Sequence, residues 1–141
     1  MRLGDGITHY ELAGPDTGKI VVLLHGFSVP YFIWNGTFEY LAKQGFRVLR
    51  YDDYGRGYSD RPDVTYNKEA YYNQLTDLLQ KLKITQPVNV VGISFGGMLA
   101  TDFAGNFPKL VDKVVLIDPG YPSLQPRQPQ FVTQYLSLIH I

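Results

Sequence analysis

Pro87-Val88-Asn89-Val90-Val91-Gly92-Ile93-Ser94-Phe95-Gly96-Gly97-Met98-Leu99-Ala100 is the stretch from which the rest of the chain is read. Its first half, up to Ile93, is apolar and β-branched and suits a strand buried in a sheet; its second half is small and apolar and suits a helix pressed onto that sheet. Between the two stands Ser94, with Gly92 two places before it and Gly96 two places after. Lifting a hydroxyl out of the end of a strand requires the chain to turn within about one residue. Such a turn strains the serine backbone, and a Cβ at either flanking position would collide with the neighbouring strand or helix, so glycine is the tolerated choice there. The turn also leaves the Phe95 N–H free at the start of the helix, where it could stabilise negative charge developing on an attacked carbonyl. With five serines and 14 glycines in 141 residues, composition alone yields G-x-S-x-G about 0.05 times per chain.

Upstream, Ile20-Val21-Val22-Leu23-Leu24 is a continuous apolar run of the kind buried on both faces, and so belongs in the centre of a parallel sheet. It empties into His25-Gly26-Phe27-Ser28-Val29-Pro30. Gly26 permits a sharp turn, and the next N–H, that of Phe27, is left unpaired at the carboxyl end of the strand, where parallel sheets place their sites. Phe27 N–H and Phe95 N–H would form a pair of donors. His25, held in the loop that shapes them, reads as an orienting hydrogen-bonder rather than a base. Before this, Ile7 to Ala13 reads as a strand closed by Gly14-Pro15-Asp16-Thr17-Gly18, with His9 a surface or hydrogen-bonded strand residue.

Between these sites, Phe32 to Gln44 carries Trp34, Phe38, Leu41 and Ala42 at helical spacing and stops at Gly45. Phe46 to Tyr51 is the next strand and runs into the loop Asp52 to Pro62. Gly55-x-Gly57 there lacks the third glycine, the GK[ST] and the opening helix of a nucleotide site. Asn67 to Leu82 is an amphipathic helix with Asn67 as its cap, Glu69 in its first turn and Lys81 in its last. Downstream, Phe95 to Phe107 forms a helix that Pro108 stops, and Val111 to Ile117 supplies a further buried strand ending in Asp118-Pro119-Gly120. Four prolines between Pro119 and Gln130 mark a connection leaving the sheet.

Composition narrows the functions. A formal net charge of zero gives no sign of a polyanion-binding surface, so nucleic acid is not an expected partner. No apolar run of eighteen residues occurs and the first residues make no secretion signal, so the expectation is a soluble, cytoplasmic protein without a membrane span. Zero cysteines exclude disulfides, thiol catalysis and Cys-based metal sites, and His9, His25 and His140 lack metal-ligand spacing. No metal and no cofactor is expected. An aromatic content of 14% points to a well-filled core and an apolar pocket.

From Ile7 to about Pro122 the chain resembles the α/β-hydrolase fold enzymes. The resemblance is carried by His25-Gly26-Phe27, by Asp52-x-x-Gly55-x-Gly57-x-Ser59, by Gly92-Ile93-Ser94-Phe95-Gly96-Gly97 and by Val114-Val115-Leu116-Ile117-Asp118-Pro119. It implies an α/β fold with a doubly wound, mostly parallel sheet, here truncated after the sixth strand. Residues 1–118 would be the amino-terminal part of the core, 119–135 the start of a cap or connecting segment, and 136–141 a non-native tail. It further implies that Ser94 is the nucleophile and that Phe27 and Phe95 supply the oxyanion hole. His25, Gly26, Gly92 and Gly96 would support elbow and loop. The implied activity is that of a serine hydrolase cleaving a small apolar carboxylic ester through an acyl-enzyme. Oligomeric state is left open.

Enzymes of this family need a histidine near the carboxyl end of the domain, oriented by an acid on a late strand. The only histidine after Ser94 is His140, within Leu136-Ser137-Leu138-Ile139-His140-Ile141, which resembles the translated end of a transposase adapter used for sequencing libraries. His140 is therefore not assigned as the base, and the fragment is expected to lack the triad histidine and to be nearly inactive. Asp118 is a substitute candidate for the acid, or else an aspartate that ends a strand and shapes the cap entrance. A serine at position 94 argues against dehalogenases and epoxide hydrolases of this fold, which use aspartate there. C–C hydrolases, perhydrolases and aminopeptidases keep serine, although the prolyl aminopeptidase elbow, Gly-Gly-Ser-Trp-Gly, does not match. A non-catalytic binding protein on the same fold is the rival from another class. A sheet that stopped at Ile117 would leave an apolar edge prone to aggregation.

Overall fold

In the computed structural model, residues 1–120 are described. The expected connecting segment from residue 121 onward, the expected tail at 136–141 and His140 lie outside the described residues.

Five strands, β1 (Tyr10–Ala13), β2 (Ile20–Leu24), β3 (Arg47–Tyr51), β4 (Val88–Ile93) and β5 (Val111–Ile117), form one sheet in the order β1-β3-β2-β4-β5. β1 runs antiparallel to β3, and the remaining pairings are parallel. Every residue of β2 is buried, as its unbroken apolar run requires. Its side chains alternate between the two faces. Val21 and Leu23 pack with Trp34, Phe38 and Val48 under α1 (Asn35–Lys43). Ile20, Val22 and Leu24 pack with Leu75, Leu78, Leu99 and Phe103 under α2 (Lys68–Lys81) and α3 (Phe95–Asn106). Both faces are covered, so the sheet is doubly wound. The chain leaves β2 towards β3 on one side and returns to β4 on the other, which makes the carboxyl ends of β2 and β4 a topological switch point.

Several element ends differ from the sequence reading. Trp34 closes a 3-10 turn, Tyr31–Trp34, ahead of α1. The strand expected from Ile7 begins only at Tyr10, because the backbone before it bonds to the loop after β3 instead of to a ladder. Ile7 N–H donates to Asp60 Oδ2 at 2.7 Å, Asp60 N–H to Ile7 O at 2.9 Å, and Asp52 N–H to His9 O at 3.0 Å. The described sheet has five strands where the resemblance counted six. Ahead of β1 there is one antiparallel bridge, Arg2 with Ile7, closed by a turn at residues 3–6. β5 has the expected bounds but is not buried throughout: only Val114 is fully enclosed. α3 covers part of one face, and no strand among the described residues pairs with its outer edge. The helix ends follow their signals. The Asn67 side chain accepts from Ala70 N–H, and Gly45 takes a φ of 87° after α1.

Candidate active site

The strand-turn-helix bend around Ser94 forms as the spacing requires. Ser94 is exposed at the tip between β4 and α3 with φ 52° and ψ −115°, a left-handed conformation rare for a residue with a side chain. Such strain costs about 1–3 kcal/mol and persists only where surrounding bonds over-determine it. Here Ser94 N–H donates to Ile117 O at 3.1 Å, while Ser94 O accepts from Met98 N–H at 3.1 Å and Gly120 N–H at 2.9 Å. A Cβ on Gly92 would fall inside contact distance of the Gly96 carbonyl, and one on Gly96 would strike the carbonyls of Leu24 and His25. The elbow is thus wedged against the end of β2, which brings the 25–27 loop beside it. A Cβ on Gly26 would meet the Ser94 Cβ at 3.7 Å.

His25 accounts for the direction of the first donor. Its Nε2 lies 3.0 Å from Asp53 N, and a backbone N–H can only donate, so Nε2 is the unprotonated nitrogen. Nδ1 then carries the proton and donates to Gly26 O at 2.7 Å. That carbonyl belongs to the same planar trans peptide as Phe27 N–H, so pinning one end of the plane aims the other away from the histidine. Neither Phe27 N–H nor Phe95 N–H has an acceptor among the described residues. His25 is 1% exposed and spends both ring nitrogens on the backbone, as an orienting group would.

The loop 52–60, one of the motifs that carried the resemblance, packs beside this mouth. Asp52 is fully enclosed, and its carboxylate accepts from Tyr31 N–H at 2.9 Å, from Tyr58 N–H at 3.0 Å and contacts His9 Nδ1 at 3.1 Å. Asp52 thus ties the segment before β1, the 3-10 turn and its own loop to the end of β3. Asp53 is equally buried but has no such partners. Its Oδ2 finds no hydrogen bond, and the 3.7 Å approach of His25 Nε2 is no ion pair, because that nitrogen already accepts a proton from Asp53 N–H. Burial pushes the Asp53 carboxyl up to about 6, with the Arg56 guanidinium pulling the other way. Arg56 Nε donates to Phe27 O at 2.7 Å, and its guanidinium carbon lies 4.2 Å from the centre of the Phe27 ring.

Beside the elbow opens a cleft of about 710 Å³, lined among others by Phe27, Arg56, Tyr66, Tyr71, Phe95 and Met98. Four aromatic side chains stand in its walls, where the Phe27 and Phe95 rings meet edge-on at 5.7 Å and Phe95 meets Tyr71 at 5.5 Å, and Arg61, Asn67, Lys68 and Glu69 line it as well. The structure therefore brings Ser94, Phe27, Phe95, His25, Gly26, Gly92 and Gly96 to one mouth. Asp118 follows Ile117 directly, is exposed, and makes no side-chain hydrogen bond among the described residues. No described histidine approaches Ser94 as a base, since His25 is spent and His9 faces Asp52. Among the described residues no three His, Cys, Asp or Glu side chains could jointly hold a metal ion, and no helix is long and apolar enough to cross a membrane.

A sheet wound on both faces, with a serine elbow at its switch point, defines a class, and comparison with known proteins names it: the chain belongs to the alpha/beta hydrolase fold family, which matches residues 19–137. An uncharacterized protein of Mycobacterium tuberculosis is 40% identical over 111 residues, covering 79% of this chain and 31% of that protein. The enol-lactonase from Burkholderia xenovorans LB400 superposes with a TM-score of 0.74 at 28% identity, over 79% of this chain and 43% of that one. The meta-cleavage product hydrolase from Pseudomonas fluorescens IP01, solved as a serine-to-alanine mutant complexed with acetates, gives 0.74 at 31% identity, over 83% and 45%. The chain thus spans less than half of the length of each of these proteins.

Proposed function

We propose that the protein carrying this chain is a serine hydrolase that cleaves a small apolar carboxylic ester through an acyl-enzyme. The carrying observation is Ser94 held at φ 52° beside two N–H groups without acceptors, those of Phe27 and Phe95. In this reading Ser94 Oγ attacks the ester carbonyl carbon while its proton passes to a base outside the described residues. The carbonyl electron pair moves onto oxygen, where the two N–H groups receive it. Collapse expels the alcohol, which takes up the proton from that base, and water cleaves the acyl-serine by the same route in reverse. Each donor contributes about 3 kcal/mol of transition-state stabilisation, whereas removal of a histidine base costs about a millionfold in turnover. The apolar side of the cleft, formed by Phe27, Tyr71, Phe95, Met98 and Leu99, supports an apolar acyl group. Likeness to a meta-cleavage product hydrolase favours a second reading, hydrolysis of a C–C bond, with Ser94 again as the nucleophile.

A fluorophosphonate probe tests the reading. The full-length protein should be labelled on the peptide containing Ser94, the Ser94→Ala variant should not, and residues 1–141 alone should be labelled slowly. A full-length protein that folds and hydrolyses esters without modification of Ser94 would refute it.

A further inference from the structure

The mouth described above has one donor on a helix and one on a loop, and the two are not held alike. Phe95 N–H sits at the first turn of α3, fixed by the helix behind it. Phe27 lies on a loop and is 60% exposed, so burial does not fix its backbone. Peptide groups on both sides of Phe27 are nevertheless tied down, and both ties come from the loop after β3. On the amino side, Asp53 N–H holds His25, and His25 holds Gly26 O. On the carboxyl side, Arg56 Nε donates to Phe27 O at 2.7 Å. The same guanidinium covers the Phe27 ring at 4.2 Å, and that ring also abuts Phe95. Arg56 is itself anchored, with Nη1 donating to Gly55 O at 3.2 Å.

We propose that Arg56 is a positioning residue that clamps Phe27 through its carbonyl and its ring, keeping the Phe27 N–H aimed at the oxyanion position above Ser94. The proposal rests on the serine-hydrolase reading and extends it. With the peptides on both sides of Phe27 pinned, rotation about its φ and ψ cannot swing the N–H away without breaking a bond at one end. Preorganised donors act because they need not be gathered as charge develops, so loosening one removes part of its effect on the chemical step while leaving ground-state binding in place. Lysine cannot replace the clamp, because an ammonium lacks the planar face that stacks on the ring and the Nε–H set along the stem.

The test uses the full-length protein with p-nitrophenyl esters, comparing wild type, Arg56→Ala and Arg56→Lys. Arg56 is partly exposed, so truncation should leave the circular dichroism spectrum intact. The expected result is a fall in kcat of about tenfold to a hundredfold in both variants, a fraction of the loss from deleting an oxyanion donor outright, with KM within about twofold. Phosphonylation of Ser94 should slow in step. Wild-type kcat in Arg56→Ala, or a rise in KM alone, overturns the clamp while leaving the hydrolase reading standing. Full restoration of kcat by Arg56→Lys also overturns it, by reducing Arg56 to a charge. Failure of both variants to fold assigns Arg56 to the fold and overturns it as well. A folded wild type with neither esterase activity nor a labelled Ser94 sinks both readings together.

Discussion

Replacing Asp53 by asparagine should make the protein more stable at neutral pH, although it alters a residue at the heart of the site. Asp53 is 1% exposed, and its Oδ2 has no hydrogen-bond partner. Burial raises its carboxyl from 3.8 to about 6, so the folded state holds the proton more tightly than the unfolded chain does. Below about pH 4 both states are protonated and the aspartate costs nothing. Between pH 4 and 6 the unfolded chain gives up its proton first, and stability falls as pH rises. Above pH 6 the loss is complete. A shift of about two units corresponds to about 3 kcal/mol at 1.36 kcal/mol per unit, an upper figure for what the neutral amide can recover. Urea unfolding of the full-length protein and its Asp53→Asn variant, followed by circular dichroism from pH 4 to 8, would measure it. The stability gap should be near zero at pH 4 and widen through pH 6. A gap that does not change with pH, or a variant less stable at pH 7, would show that the buried carboxyl is neutralised by a partner and that the argument from burial is wrong.

Two further substitutions test the supports of the elbow and loop. Gly96→Ala places a methyl against the Leu24 and His25 carbonyls and should cost about 3 kcal/mol in chemical denaturation; a loss below about 0.5 kcal/mol would mean that the elbow is not wedged against β2. Asp52→Ala strands two backbone donors, those of Tyr31 and Tyr58, and should cost about 2–5 kcal/mol in the same assay, with wild-type stability contradicting its role as the hub of the loop.

The elbow was legible in the sequence because its constraints are local: the run to Ile93, two glycines at fixed offsets and a small-residue helix belong to one continuous stretch. Ile20–Leu24 was legible for a similar reason, since an unbroken apolar run has no reading except burial on both faces. The 52–60 loop was legible as one of the motifs that carry the family resemblance, but the division of work between its two aspartates was not. Asp52 and Asp53 are identical in type and adjacent, yet one has its acceptors satisfied from three elements and the other has none, a difference set by residues as distant as Tyr31 and His9. The Arg56 clamp on Phe27 joins two loops 29 residues apart and leaves no periodicity behind it. Val111–Ile117 was read as buried because five of its seven residues are apolar, but Asp112 and Lys113 are exposed and burial of an edge strand depends on what lies beyond it. The late start of β1 had a weak signal, since Asp60 follows the glycine loop and can capture a strand-end N–H.

The central claim concerns where charge is received. A crystal structure of the full-length protein after phosphonylation should show the phosphorus bonded to Ser94 Oγ, with one phosphoryl oxygen about 2.7–3.1 Å from both Phe27 N and Phe95 N. An adduct whose oxygen turns away from those two groups, or one formed on any other residue, would contradict the account.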